Sequence, residues 1–331
     1  MKRFLVTTAD ERTWPIGQPM LFLGEWCRLY DRKAVWGRFD AEVVPYHWDD
    51  REKLYRDYQF LRELYEDLLR ELAEALNEIH DVDHSLRYWR IIVGPWLGYF
   101  VQILFDRWTM IERALQQYEP IGVKLLRTPL EQVVPNDMED LPRLMVGDLW
   151  NEAIYGQLLR EFTTVAIEDG GGDFGGCHDP SSSWVATAKP LSFRSRVRRS
   201  LARVASWTSQ ALVRENEAFF IASYLPIRQE LRLQWQLGQI PKIWRPIEAP
   251  QVALDYTRRQ WYVGDTTGQG FEHIARWMIP KHIPKLYLEG YGRLQEQMRD
   301  LPWPKKPRLI FTSNSYNSDD VFKAWAAEKV E

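Results

Sequence analysis

Between Leu54 and Ile79 an apolar residue recurs at alternating spacings of four and three: Leu54, Tyr58, Leu61, Tyr65, Leu68, Leu72, Ala75 and Ile79. Only an α-helix gathers residues so spaced onto one stripe, because four and three residues bracket its turn. Arg, Glu and Asp fill the opposite face. The stripe must therefore be covered by another element. Asp49 followed three residues later by Glu52 reads as a capping box, so the helix starts at Asp49 or Asp50. The polar run His80–His84 is a turn, and Ser85 is placed to cap a second helix reaching about Tyr118, kinked at Pro95. The two helices are expected to fold back on each other as an antiparallel hairpin.

The hairpin interrupts a different pattern. Residues 4–7, 20–23 and 41–46 are short apolar runs bounded by Gly, Pro or Asp, as buried strands are, and they suggest an open α/β sheet. A further strand is expected over 130–134 and a helix over 150–162. Residues 168–183, EDGGGDFGGCHDPSSS, read as a loop or hinge. The basic stretch 189–203 follows, with helical patterns continuing to about Leu237 and again over 271–298. Pro302, Pro304 and Pro307 make a stiff linker over 302–307. Residues 308–312 then read as a buried strand, Ser313–Ser318 as a turn and Asp319–Glu331 as a helix. The expected organisation is a lobe over 1–301 carrying a helical insertion at about 49–118, the linker 302–307, and at 308–331 the first β-α unit of an incomplete second lobe.

Composition removes several function classes. With 43 basic against 46 acidic residues the formal charge is −3, which argues against a general nucleic-acid binder. Two cysteines cannot staple 331 residues, so reduced thiols in the cytoplasm are expected. The apolar run at the N-terminus is stopped by Thr7-Thr8-Ala9-Asp10, too early for a secretory signal. The most apolar stretch, 91–105, is broken by Gly94-Pro95 and Gly98 and is shorter than the ~20 residues of a membrane span. Sixteen Trp and fifteen Tyr suit large packed interfaces and the faces on which sugars or bases stack.

The words FLGEWCRLYDRK, VVPYHWDDREKL, HSLRYWRIIVGPWLGYF, FDRW, KLYLEGY and FTSNSYNSDDVFKAWAAEKVE carry a resemblance that extends over nearly the whole chain and is weakest over 168–203. They resemble a family of transferases encoded in bacterial lipopolysaccharide and O-antigen loci and first catalogued from a spirochaete. The resemblance implies a two-lobed, GT-B-like (Rossmann-like) glycosyltransferase architecture in a longer protein, of which this chain is the N-terminal part. It also implies a nucleotide-activated sugar donor, a glycan or lipid-linked acceptor, and a mechanism needing neither metal nor other cofactor.

Three segments are candidates for chemistry. Tyr46-His47-Trp48-Asp49-Asp50-Arg51 follows a predicted strand and opens a helix, where ligands of open α/β sheets collect. There His47 or Asp50 suits a general base that takes the acceptor proton. Trp48 suits stacking on a sugar, with Asp49 and Arg51 as substrate contacts; the alternative is that Asp49 caps, Asp50 favours the helix dipole and Arg51 is solvated. Glu25-Trp26-Cys27-Arg28 follows another strand: Glu25 is a second candidate base and Arg28 a phosphate or carboxylate partner, against a surface Glu–Arg pair over Trp26. Ser313, Asn314 and Ser315 open the last helix and offer hydroxyls and amides to a donor phosphate, against ordinary turn chemistry. The basic stretch is read as a peripheral contact with the inner membrane, an acidic-ligand site or a solvated helix face. His80/Asp81/Asp83/His84 and Cys177-His178-Asp179 are read as turn residues rather than a metal site or a triad.

The function expected is sugar transfer in surface-polysaccharide synthesis. A non-catalytic scaffold module of the same pathway and a CDP-alcohol phosphotransferase are the alternatives. Convergent carboxylates in a cleft beside Glu25 and Trp48 favour the enzyme, and a contiguous exposed aromatic patch favours the scaffold.

Overall fold

The computed structural model describes residues 2–170, 214–264 and 270–331. The basic stretch, the Cys177-His178-Asp179 run and all but the first three residues of the Gly-rich segment lie outside the described residues. Five strands form a parallel sheet in the order β3-β2-β1-β4-β5: β1 Phe4–Val6, β2 Met20–Phe22, β3 Ala41–Val43, β4 Gly122–Leu125 and β5 Ile167–Asp169. Phe4, Leu5 and Val6 lie opposite Met20, Leu21 and Phe22. Both strands are buried throughout, as expected of a central parallel pair covered on both faces. The third strand stops at Val43, two residues before Pro45, which has no N–H to give the ladder.

The helices used below are α1 Arg51–His80, α2 Leu86–Ile92, α3 Gly94–Tyr118, α4 Asp148–Phe162, α5 Ile227–Gln236, α6 Phe271–His282, α7 Tyr291–Arg299 and α8 Asp320–Val330. α1 runs antiparallel to α2 and α3: Lys53 and Phe60 meet Phe105 of α3, Glu66 meets Arg90 of α2, and Asn77 meets Trp89 of α2 and His84 in the turn before it. Ser85 caps α2 through the amide of Tyr88. The break falls at Val93, so that Pro95 stands in the first turn of α3, where its missing N–H costs nothing. Asp50, not Asp49, caps α1, its carboxylate accepting from the amides of Glu52 and Lys53 at 3.0 Å each. Leu61, Leu64, Leu68, Leu69, Leu72, Ala73 and Leu76 are buried, whereas Leu54 and Tyr58, in the first two turns of the stripe, are not.

Three other expectations change. Residues 130–134 hold a 3₁₀ turn, Leu130–Gln132, in which the amides of Gln132 and Val133 bond back to the carbonyls of Pro129 and Leu130, and Pro135 cannot join a ladder. The helical stretch 271–298 is interrupted at Pro284 and Gly290, giving α6, a short helix Lys285–Leu288 and α7. β7, Leu309–Thr312, is open on one face, with Leu309 and Phe311 exposed. Its parallel partner is β6, Ala218–Ile221, so the last strand shares a two-stranded sheet with residues that precede the 302–307 segment.

α8 is locked onto the helical hairpin by a buried cation. Lys323 is fully buried; its ammonium donates to the Ile92 carbonyl at 3.1 Å and the Tyr287 hydroxyl at 2.8 Å and pairs with Asp320 at 2.6 Å. Asp320 also accepts from the Met138 amide. All three ammonium protons are thus directed at acceptors. Lys323→Ala leaves Asp320 a buried charge without its cation, expected to cost about 3–5 kcal/mol. The expected result is a lowered Tm and early proteolytic release of α8, with a smaller loss in Lys323→Met/Asp320→Asn, which removes the pair together.

Candidate active site

The carboxyl ends of the sheet strands carry the polar residues. At the switch point between β1 and β4, Glu152 of α4 is buried; it accepts from Thr7 at 2.8 Å and from the Leu126 amide at 3.2 Å, tying the ends of both strands together. Burial pushes its carboxyl up to about 7, although the bonds from Thr7, Leu126 and Thr8 pull the other way. The opening lies beside this side chain, past β2 and β3.

That opening is a cleft of about 590 Å³ lined by Glu25, Trp26, Val43, Val44, Pro45, Tyr46, Asp49, Asp106 and Arg107. β2 delivers Glu25 and Trp26. A Cβ on Gly24 would overlap the Trp26 ring at 2.1 Å, so only glycine lets that ring fold back, where its Nε1 donates to the Thr7 carbonyl at the end of β1. β3 delivers Tyr46 and Asp49. Asp106 and Arg107 come from the middle of α3.

Asp106 is the most constrained group of the cleft. His47 is buried behind it, with Nε2 3.0 Å from Asp106 Oδ1. An ionised carboxylate can only accept, so this nitrogen carries the proton. The Tyr46 hydroxyl bonds to the same carboxylate and the Arg107 guanidinium pairs with it. Burial by itself would raise Asp106. The bond from His47, the Arg107 charge and the bond from Tyr46 outweigh it and hold the carboxyl below its ordinary value. Burial and the Asp106 charge push Tyr46 upward, so its phenol keeps its proton. Arg107 is itself held by Asn151 at 2.9 Å and lies over the faces of Trp26 and Tyr155.

The sequence-expected residues separate into groups. Glu25, Trp26 and Asp49 line the cleft with Asp106. Arg28 grips Glu25 through Nε at 3.1 Å and Nη2 at 2.5 Å, and its guanidinium covers Trp36. His47 stands behind the cleft wall. Trp48 faces the other way, into a groove between α1 and α3, with its Nε1 on Asp57. Asp50 is exposed and occupied with the cap, its carboxyl lowered mainly by the Lys53 amide, and Arg51 is exposed on α1 and lines neither space. Ser313 donates to the Ser223 carbonyl, Asn314 to the Tyr224 hydroxyl, and Ser315 is buried with its amide on Thr312. His80 bonds the Tyr287 carbonyl and is lowered to about 4 by burial, while His84 bonds Glu331.

Sequence reasoning missed Asp106, Arg107 and Glu152. The signal was present: an acid within the apolar face of α3, between Phe105 and Trp108, and another between Trp150 and Ala153. Among the described residues no helix is long and apolar enough to cross a membrane.

A family model described as LIC12162 family transferase matches residues 3–331. The chain belongs to this transferase family. No curated protein and no solved structure matches it. The residues that line the cleft of this transferase, 25–26, 43–46, 49 and 106–107, all fall within the matched span.

Glu152 gives a pH-dependent stability. Its folded value, about 7, lies above the ordinary 4.5, so the folded state holds a proton the unfolded state has released. The resulting stability is present below about pH 4.5 and is lost as pH rises through about 7, amounting to roughly 3 kcal/mol. Thermal unfolding across this window is expected to show that decline in the native protein and a flatter profile in Glu152→Gln.

Proposed function

We propose that the protein transfers a sugar or related group from a nucleotide-activated donor to a saccharide acceptor, within lipopolysaccharide or O-antigen assembly in the cytoplasm. One observation carries this: an ionised carboxylate, Asp106, faces a polar cleft at the carboxyl ends of parallel strands and is aimed by a buried histidine. Ligands of open parallel sheets gather at such strand ends. The Rossmann-like strand order is compatible with the first lobe of a GT-B enzyme.

In this proposal the acceptor hydroxyl hydrogen-bonds to Asp106. As its oxygen attacks the anomeric carbon and the bond to the nucleotide phosphate breaks, the proton passes to the carboxylate. The His47 N–H fixes which lone pair faces the acceptor. Arg107 offsets the buried negative charge and keeps Asp106 ionised when the cleft is filled. Glu25, on the cleft's other side, is the alternative base, held by Arg28, and Asp49 and Trp26 are the acceptor contacts. Three carboxylates converging on one cleft support an enzyme over a scaffold module.

The test is a panel of UDP-, GDP-, CMP- and CDP-linked donors, screened by thermal shift and then by turnover. At least one donor is expected to stabilise the protein and be turned over. Asp106→Asn is expected to lower kcat by about 10²–10⁴-fold with the donor shift retained, while Glu25→Gln changes it little. Because Asp106 is held below its ordinary 3.8, activity is expected to show no acid limb above about pH 4. Turnover of a CDP-alcohol alone would move the assignment to phosphotransfer. Absence of any donor effect, or full activity in Asp106→Asn, would remove the transferase reading of this cleft.

A further inference from the structure

A second concavity, of about 580 Å³, lies between α1 and α3 on the far side of the Tyr46-His47-Trp48 turn. Small-molecule sites span about 300–1,000 Å³. Its walls carry the rings of Trp48, Tyr58, Tyr65, Tyr99 and Tyr316. The first turns of the α1 stripe, Leu54 and Tyr58, open onto it instead of being covered by another helix. The floor depends on Gly94: a Cβ there would stand 2.7 Å from the Tyr65 hydroxyl. Glycine inside a helix costs about 0.5–1 kcal/mol, and here it gives Tyr65 room under the groove.

We propose that this groove binds an acidic saccharide; in the transfer proposed above, on which this assignment rests, it holds units of the acceptor chain remote from the hydroxyl that meets Asp106 in the cleft. Saccharides present a C–H face that stacks on aromatic rings and a rim of hydroxyls that needs hydrogen-bonding partners. The groove offers both: five aromatic rings, with Arg62, Gln102 and Asn317 among them. An alkyl chain calls for aliphatic walls, and these are interrupted here by four tyrosine hydroxyls and the four polar side chains Arg62, Arg90, Gln102 and Asn317. The charge pattern selects an acid. No carboxylate lines the groove. Arg90 is committed to both oxygens of Glu66, at 2.8 and 2.6 Å, but exposed Arg62 has no ion pair or hydrogen bond among the described residues. Its guanidinium is free for a sugar carboxylate or phosphate. Trp48 links the groove to the chemistry: its ring lies 4.5 Å from that of His47, whose other side holds Asp106.

The test uses the whole protein against immobilised uronic-acid oligosaccharides, matched neutral oligosaccharides and dodecyl phosphate. Tyr58→Ala, Tyr99→Ala and Arg62→Ala change exposed side chains, and circular dichroism confirms their folding. The acidic oligosaccharides are expected to bind most tightly. Either tyrosine variant should weaken binding about tenfold, and Arg62→Ala should abolish the preference for acidic over neutral chains. Donor stabilisation should persist in all three. Saccharide binding unchanged by these variants, no saccharide binding at all, or a groove that takes dodecyl phosphate instead would overturn the proposal. Loss of donor turnover in Asp106→Asn with no saccharide bound at the groove would leave the transferase reading standing without this one. Groove binding with no donor effect would do the reverse.

Discussion

The hydrogen bond between His47 and Asp106 connects the two halves of this architecture. His47 belongs to the turn that leaves the parallel sheet, and Asp106 to the middle of a helix inserted before the next sheet strand. Their bond is buried, so it fixes where the hairpin stands on the sheet. It also divides the space around it. On one side Asp106, Glu25 and Asp49 face a polar cleft; on the other Trp48 faces an aromatic groove. A carboxylate buried this deeply is tolerated because His47, Tyr46 and Arg107 all favour its charge. The energetic cost of the ion is thus converted into orientation.

The same device recurs in the interior. Arg259 with Glu289 and Lys242 with Glu217 are buried ion pairs between residues distant in sequence, and the buried pair of Lys323 and Asp320, one turn apart on α8, reaches Ile92, Tyr287 and Met138. Arg259 also donates to the carbonyls of Pro280, Lys281 and Ile283, supplying partners at the end of α6, where Pro280 and Pro284 disturb the helical bonding. An aromatic-rich core provides the burial, and these pairs decide how its pieces are arranged. Such pairs contribute specificity more readily than net stability.

Much of this was legible in the sequence. The four-three spacing on α1 located the hairpin, and the short apolar runs located three sheet strands. Strand ends followed by polar residues pointed to the rim of the sheet at which the cleft lies. What was not legible has a common cause. Residues 130–134 have strand composition, but Pro129 and Pro135 around them favour a turn. Leu54 and Tyr58 continue the helical stripe, yet periodicity cannot show that nothing packs on them. Asp106 and Glu152 look like interruptions of apolar helices; only tertiary contact shows that their charges meet His47 in one case and two strand ends in the other. Local pattern encodes elements, whereas a buried charge is explained by partners distant in sequence.

The central claim is that His47 acts on the chemistry solely through Asp106. A double-mutant cycle on donor turnover tests it most directly, using His47→Asn, Asp106→Asn and the two combined. The account predicts strong non-additivity, with the double variant no slower than Asp106→Asn. Losses that simply multiply would mean that the two residues act independently and would contradict it.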